Sequence, residues 1–407
     1  MNVFAHMCGR IEAAISDAEL RSVSAGLDAK VGIRIGALGI GIVVHGSTVL
    51  VSDNLDNSDV LICAEKDAWE KVLASPPPPT FHSFTALQLA NPLFDVSGDA
   101  ATIARCRAML ERLFELVVHA APLQPGMTAQ RDPTRISGRY ASVTIDGIAH
   151  QIYSESSGTG QPVLFLHTAG ADSRQFHGQL SDHELMSHYG MTAPDLPFHG
   201  KSMPSPTWRG ETYKLSKELY LSWCEGILRD IIGEPAIVVG GSMGAAMALV
   251  LAAEKPELVK GVVAIEPPFQ SKGRRNPFQH HANVHGALHN ASYVRGLMSP
   301  LSPEANRRHA AWIYSQGAPG IYPGDLAFYS DEFDGAIVGP KIDCDRTPVV
   351  LLCGDYDYSA SPADGQKLLE VMHGASMIEM HGLGHFPMCE NPDAFRPHLL
   401  AALQAVS

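Results

Sequence analysis

The chain has no apolar run of the length, about 18 residues, that a bilayer-spanning helix needs. Its N-terminus (Met1-Asn2-Val3-Phe4-Ala5-His6-Met7-Cys8-Gly9-Arg10) has neither the basic stretch nor the apolar stretch of a secretory signal. It has no C-x-x-C pair. Its seven cysteines (8, 63, 106, 224, 344, 353 and 389) are odd in number and dispersed, which favours free thiols in a reducing compartment over disulfides. The expected location is the cytoplasm. Positive charge is in deficit, with 30 Lys and Arg against 43 Asp and Glu, so the net charge of −13 speaks against nucleic acid or an anionic membrane surface as partner. What the chain does have is 45% hydrophobic and 18% charged residues over 407 positions, the profile of a soluble globular protein long enough for two cores.

Composition breaks divide it. Pro76 to Pro79 must be an extended loop, and residues 121–135, mixing Pro, Gly and polar side chains, read as a linker between a domain at 1–120 and one at 136–407. Before the linker, 33–38, 41–52 (turning at His45-Gly46-Ser47) and Val60–Ala64 read as strands. Ile103, Cys106, Met109, Leu110, Leu113, Leu116 and Val117 give residues 100–119 one apolar helical face. The order Gly46-x-x-Val49-x-Val51-x-Asp53, Ser58-Asp59-Val60-Leu61-Ile62-Cys63-Ala64, Asp67-Ala68-Trp69 and Phe94-Asp95-Val96-Ser97-Gly98-Asp99 resembles the sterol-carrier-protein-2-like fold over about residues 10–120. That resemblance implies a twisted sheet whose helices enclose an apolar tunnel. The alternative is a module for packing or dimerisation, and no polar residue in the segment announces a ligand.

After the linker, Tyr140–Tyr153 alternates apolar and polar residues around Asp146-Gly147, the pattern of a β-hairpin. Short apolar runs at 163–166, 191–193, 236–239, 261–265, 348–353 and 376–380 then alternate with helical stretches. The expected fold class is α/β, a doubly wound and mostly parallel sheet, with an N-terminal α+β domain.

Chemistry gathers in this second half. Gly240-Gly241-Ser242-Met243-Gly244 follows an apolar strand and precedes an Ala-rich helix, the setting in which G-x-S-x-G presents a serine on a tight turn. A serine nucleophile needs a base, a group to orient that base, and donors for the developing oxyanion. His385 lies in a Gly-rich loop between the last strand and a closing helix over 392–405; His381 abuts the strand end and ranks behind it. Asp357 lies just beyond the strand ending at Cys353, where ligands collect in parallel sheets. Asp355 is its competitor, and Glu266 is a further acid, facing substrate or standing behind the site. The backbone N–H of Met243 is the first expected oxyanion donor, and the loop His167-Thr168-Ala169-Gly170 should supply the second.

With these motifs stand Asp195-Leu196-Pro197-Phe198-His199-Gly200-Lys201-Ser202 and Gly384-His385-Phe386-Pro387, and residues 136–407 resemble the α/β-hydrolase superfamily. The resemblance assigns the second oxyanion N–H to Ala169. It also exposes a departure, since the family usually has His-Gly where this chain has His167-Thr168; Thr168 narrows the backbone's choices and offers substrate a hydroxyl. In this fold an insert at about 267–345 would be a helical cap, with Trp312, Tyr314, Tyr322, Phe328 and Tyr329 lining an apolar pocket or packing the cap on the core. His280 precedes His281, His285 and His289, which recur every four residues. Without a His-Glu-x-x-His pattern or a nearby carboxylate, a cap helix near the pocket is preferred to a metal site, one histidine being available to substrate.

The expected reaction is attack of Ser242 on a carbonyl, first of all a carboxylic ester, then a lactone, thioester or amide. No cofactor and no metal is called for. Gly-Gly-Ser-Met-Gly also resembles the Gly-Asn-Ser-Met-Gly of hydrolases that cut carbon–carbon bonds in diketone-type ring-fission products, although the Asn position is Gly241 here. A non-catalytic carrier of hydrophobic ligands is the alternative of another class, and such a carrier has no need for Ser242, His385 and Asp357 together. The expected partner is a small, hydrophobic carbonyl compound, and a homodimer is compatible with the accessory domain.

Overall fold

The computed structural model describes residues 2–124, 128–145 and 147–407. The chain forms two compact units, residues 1–123 with 277–311, and residues 124–276 with 312–407.

The first unit is built on strands β1 (Leu27–Ile35), β2 (Leu38–Gly46), β3 (Thr48–Ser52), β4 (Val60–Ala64) and β5 (Asp95–Gly98), in the order β3-β2-β1-β4-β5. All pairs are antiparallel except β1 with β4. The 18-residue helix Ala100–Val117, capped by the Asp99 carboxylate, lays its apolar stripe on this sheet. Trp69, Phe84 and Phe114 fill the interior, with Trp69 and Phe114 stacked at 6.2 Å.

The stretch expected as one cap is divided. Residues 277–311 belong to this first unit, whereas 267–276 and 312–345 belong to the second. The helix Gly286–Arg295 packs on Ala100–Val117, and Arg112 pairs at 2.7 Å with both Glu115 and Glu304. The histidine spacing also reads differently in three dimensions. His285 caps the helix, its ring accepting the Leu288 N–H at 3.4 Å; His281 lies outside in a bridge to Val284, and only His289 is helical. The expected single face of three histidines does not form.

The second unit carries β6 (Ser137–Ile145), β7 (Ile148–Ser157), β8 (Gln161–Leu166), β9 (Tyr189–Pro194), β10 (Ala236–Gly241), β11 (Val259–Ile265), β12 (Val349–Gly354) and β13 (Ser376–Met380). Their order is β13-β12-β11-β10-β8-β9-β7-β6, parallel from β13 to β9 and antiparallel at β7 and β6. β6 and β7 pair as a hairpin as expected, although Asp146 of the turn lies outside the described residues. The central strands β8, β10, β11 and β12 are buried on both faces, which is why they read as unbroken apolar runs rather than alternating ones. The helix Met243–Glu254 is buried from Met243 through Ala252 on every side, so it has no polar face.

Candidate active site

Ser242 follows β10 directly and has φ 50° and ψ −107°, a conformation a non-glycine residue adopts only when its surroundings enforce it. The glycines explain how. A Cβ on Gly240 would lie 2.1 Å from the Gly244 carbonyl oxygen, and one on Gly244 would lie 2.3 Å from that of Leu166. The strand, turn and helix can close this tightly only without those side chains.

The three residues singled out for chemistry converge. His385 Nε2 lies 2.9 Å from Ser242 Oγ, and His385 Nδ1 lies 2.5 Å from Asp357 Oδ2. The other Asp357 oxygen accepts the N–H groups of Ser359 at 2.6 Å and Ala360 at 3.2 Å. Burial alone would raise the Asp357 carboxyl; the charge and hydrogen bond of His385 and these two N–H groups hold it below the ordinary carboxylate range instead. His385 is held from behind. Glu390 accepts the N–H of Gly384 at 2.7 Å and that of Phe386 at 3.3 Å, pinning the residues on both sides of the imidazole.

The competing residues have other partners. Asp355 accepts the Gly382 N–H at 2.8 Å and faces the exposed His381 at 3.4 Å, so this pair shapes the loop away from Ser242. Glu266 is fully buried just past β11, with φ 48°. Its two oxygens share the Gly354 N–H at 2.8 and 3.0 Å, and the Gly354 carbonyl in turn accepts the Asp357 N–H at 3.1 Å. Burial first, and the neighbouring Asp357 charge second, push its carboxyl well above the ordinary value, which favours the neutral form of Glu266.

In the loop after β8, Thr168 N–H donates to Gln175 Oε1 at 3.0 Å and Gly170 N–H donates to Asp325 Oδ2 at 2.7 Å. Ala169 sits between these two anchored amides. The left-handed residue of the loop is Gly170, φ 73°, so Thr168 is tolerated where the usual pattern has glycine. Its hydroxyl hydrogen-bonds the Gln175 side-chain amide and the Tyr314 hydroxyl, which engages the group that was expected to be open to substrate.

Asp325 was not visible as a site residue in the sequence. It is fully buried, and besides Gly170 it accepts Tyr213 Oη at 2.7 Å and His199 Nε2 at 2.8 Å. Burial would lower the His199 pKa, but the Asp325 carboxylate outweighs it and raises it. His167, its ring 4.8 Å away and tilted by 45°, is driven down to about 4 by burial and the His199 charge; its Nε2 accepts the Leu196 N–H at 3.3 Å. The D-x-x-x-H-G-x-S segment is therefore a brace: Asp195 accepts the N–H groups of Ser173 at 2.9 Å and Lys201 at 2.7 Å, and His199 reaches Asp325. Of the expected pocket aromatics, Trp312 is 63% exposed, and Phe328 packs on Tyr220 and Phe333 in the core. Tyr322 lies against Gly170, and Tyr329 is buried.

Residues 163–397 match the sequence profile described as Alpha/beta hydrolase family. The chain is 29% identical over 180 residues to the dihydrolipoyllysine-residue acetyltransferase component of an acetoin cleaving system from Cupriavidus necator. That match takes in 42% of this chain and 45% of the relative, so the chain spans less than half of that protein's length. Among solved structures, a thermophilic esterase from Thermogutta terrifontis superposes with a TM-score of 0.56 at 17% identity, covering 66% of this chain and 99% of the esterase. The enol-lactonase from Burkholderia xenovorans superposes with a TM-score of 0.55 at 18% identity, covering 65% of this chain and all (100%) of the lactonase. At such identities the likeness is one of fold. Among the described residues, no helix is long and apolar enough to cross a membrane.

Proposed function

The chain belongs to the alpha/beta hydrolase family, and from that premise we propose that it is a serine hydrolase cleaving a small, hydrophobic carboxylic ester, lactone or thioester through an acyl-enzyme. The observation that carries this reading is the unbroken relay from Ser242 Oγ to His385 Nε2 at 2.9 Å and from His385 Nδ1 to Asp357 at 2.5 Å. In it, Ser242 Oγ attacks the carbonyl carbon while His385 Nε2 takes its proton. Asp357 holds the Nδ1–H and stabilises the imidazolium. The oxyanion receives the N–H groups of Met243, at the start of the buried helix, and of Ala169, held in place by its anchored neighbours. Collapse of the tetrahedral adduct breaks the bond to the leaving oxygen or sulfur, which takes the proton from His385. Water then gives a proton to His385, attacks the acyl carbon, and restores Ser242 as the carboxylic acid departs.

A carbon–carbon hydrolase is less supported. A Cβ at Gly241 would lie 2.7 Å from Met388 Cε and 3.0 Å from Thr168 Cγ2, so the asparagine that the resemblance calls for would have to displace the methionine terminus and press on Thr168. For residues 1–120, the filled interior around Trp69, Phe84 and Phe114 supports the packing-module reading over a lipid tunnel, and a homodimer through this module is part of the same proposal.

A fluorophosphonate probe tests the central claim. Covalent labelling of the wild type at Ser242, absent in Ser242→Ala, is expected. A folded wild type that takes no label, and hydrolyses neither p-nitrophenyl esters nor a lactone, would overturn it.

A further inference from the structure

Ala169, the second oxyanion donor in this reading, has no polar side chain with which to hold its own amide, so its neighbours must do so. The Thr168 N–H lies 3.0 Å from a side-chain atom of Gln175, and because an N–H only donates, that atom is Oε1. This orients the Gln175 amide. Its Nε2 then faces Thr168 Oγ1 at 3.0 Å and Tyr314 Oη at 3.1 Å. Thr168 Oγ1 also lies 3.2 Å from Gln175 Oε1 and in hydrogen-bonding contact with Tyr314 Oη. One order of the hydrogens closes the circuit. Gln175 Nε2 donates to Tyr314 Oη, Tyr314 Oη to Thr168 Oγ1, and Thr168 Oγ1 back to Gln175 Oε1. The reverse order at the Thr168–Tyr314 contact would turn the phenol hydrogen out of the circuit. All three side chains are buried, where such closed circuits are strengthened by mutual polarisation.

The other end of the same peptide is held as well. His167 Nε2 accepts the Leu196 N–H, so its hydrogen sits on Nδ1, which donates to the Thr168 carbonyl at 2.9 Å; the Ala171 N–H reaches that carbonyl at 3.2 Å. In a trans peptide the Ala169 N–H points opposite to that carbonyl, so fixing Thr168 fixes its direction. Tyr314 belongs to the part of the insert that lies in the second unit. Its ring meets Phe386, the residue after His385, edge-on at 5.5 Å, and Tyr322, which lies against Gly170, at 6.2 Å. We propose that Tyr314 is a positioning residue of the reaction, its phenol closing the Gln175–Thr168 circuit and thereby aiming the Ala169 N–H at the developing oxyanion. Oxyanion donors act only when preorganised, and a small displacement weakens them. A glycine at position 168 would have no hydroxyl to complete this circuit, so Thr168 and the phenol of Tyr314 are two halves of one device.

This proposal rests on the serine-hydrolase reading and is tested so that the two fail separately. On the full chain, kcat and KM for p-nitrophenyl butyrate are measured for Tyr314→Phe, Thr168→Val, Thr168→Ser and the double variant Tyr314→Phe/Thr168→Val. The rate of fluorophosphonate labelling, which also develops charge on an oxygen in the hole, is read alongside. Tyr314→Phe is expected to lower kcat and the labelling rate about tenfold, with KM changed less than about twofold. Because the phenol acts through Thr168, its loss should have less than about a twofold further effect once Thr168 is valine. Thr168→Ser, which keeps the hydroxyl, should lose less than Thr168→Val. Independent, multiplying effects in the double variant, a loss in Tyr314→Phe that falls on KM alone, or wild-type rates in folded Tyr314→Phe overturn the positioning role. If Tyr314→Phe fails to fold, equal losses in Thr168→Ser and Thr168→Val overturn it. A folded wild type that takes no label overturns instead the serine-hydrolase reading beneath it.

Discussion

Glu266 and Asp357 meet at Gly354, whose N–H donates to the Glu266 carboxyl at 2.8 Å and whose carbonyl accepts the Asp357 N–H at 3.1 Å; both side chains are out of solvent, one carboxyl held well above its ordinary pKa and the other below. The neutral acid receives the Gly354 N–H without setting a second charge beside Asp357. Glutamine reproduces that arrangement, its oxygen accepting, whereas alanine leaves the N–H bare. Glu266→Gln should keep kcat within about threefold of wild type, and Glu266→Ala should lower it and cost about 1–3 kcal/mol of stability for the unpaired group. Ester turnover and urea melts check this. Equal damage from the two variants would mean that Glu266 acts as an anion.

The two aspartates after β12 make an internal comparison. Asp357→Asn removes the acceptor that fixes the His385 tautomer, and kcat should fall about ten-thousandfold, as in other serine relays. Asp355→Asn touches only the Gly382 amide and the exposed His381, so kcat should stay within about threefold, with a stability loss of about 1 kcal/mol. A reversed order of the two kcat values would reassign the acid.

The parts of this molecule legible in its sequence are those governed by local pattern. The runs at 236–239 and 261–265 gave central strands, because burial on both faces demands uninterrupted apolar residues. Ser242, Asp357 and His385 were legible because each lies at a strand end marked by glycine, and these strand ends meet at one edge of a parallel sheet. Residues 277–311 were misassigned because their attachment to the first unit rests on charges distant in the chain, such as Arg112 with Asp17 and Glu304. Asp325 escaped notice for a related reason. It is one carboxylate on a short helix, Ile321–Leu326, and its partners Gly170, His199 and Tyr213 come from three separate segments. The nearest signal was His199, whose second ring nitrogen had to find a partner once buried.

Asp325 therefore offers a test of the oxyanion loop at a distance from the reacting atoms. Asp325→Asn weakens the hold on Gly170 and should lower kcat about 10–100-fold, with KM changed far less. The same carboxylate raises the His199 pKa above its ordinary 6.5. A group whose pKa is raised on folding contributes stability that is fully present below its unfolded value and is lost as pH rises through the folded one. The stability gap between wild type and Asp325→Asn should thus be widest below about pH 6.5 and narrow as pH rises through the folded value. Thermal melts across this range check the sign, and a gap that widens with pH would contradict a charged His199–Asp325 pair.

The elbow itself can be probed without touching its serine. At Gly240 a methyl would meet backbone, the Gly244 carbonyl oxygen at 2.1 Å and the Ala245 nitrogen at 2.6 Å, and neither can move without opening the turn that sets Ser242. At Gly241 the same methyl meets Met388 Cε at 2.7 Å and Thr168 Cγ2 at 3.0 Å, and the methionine terminus is a flexible group that can swing aside. Gly240→Ala should therefore cost about 3 kcal/mol or more, or abolish folding, while Gly241→Ala should fold with a loss nearer 1 kcal/mol. Turnover should divide differently. Gly241→Ala presses on Thr168, whose amide and hydroxyl both hold Gln175 in the oxyanion loop, so its kcat should fall more than its stability suggests. Urea midpoints and kcat measured on the same preparations separate the two effects. A Gly240→Ala protein as stable as wild type would contradict the close packing of strand on helix from which the strained serine follows.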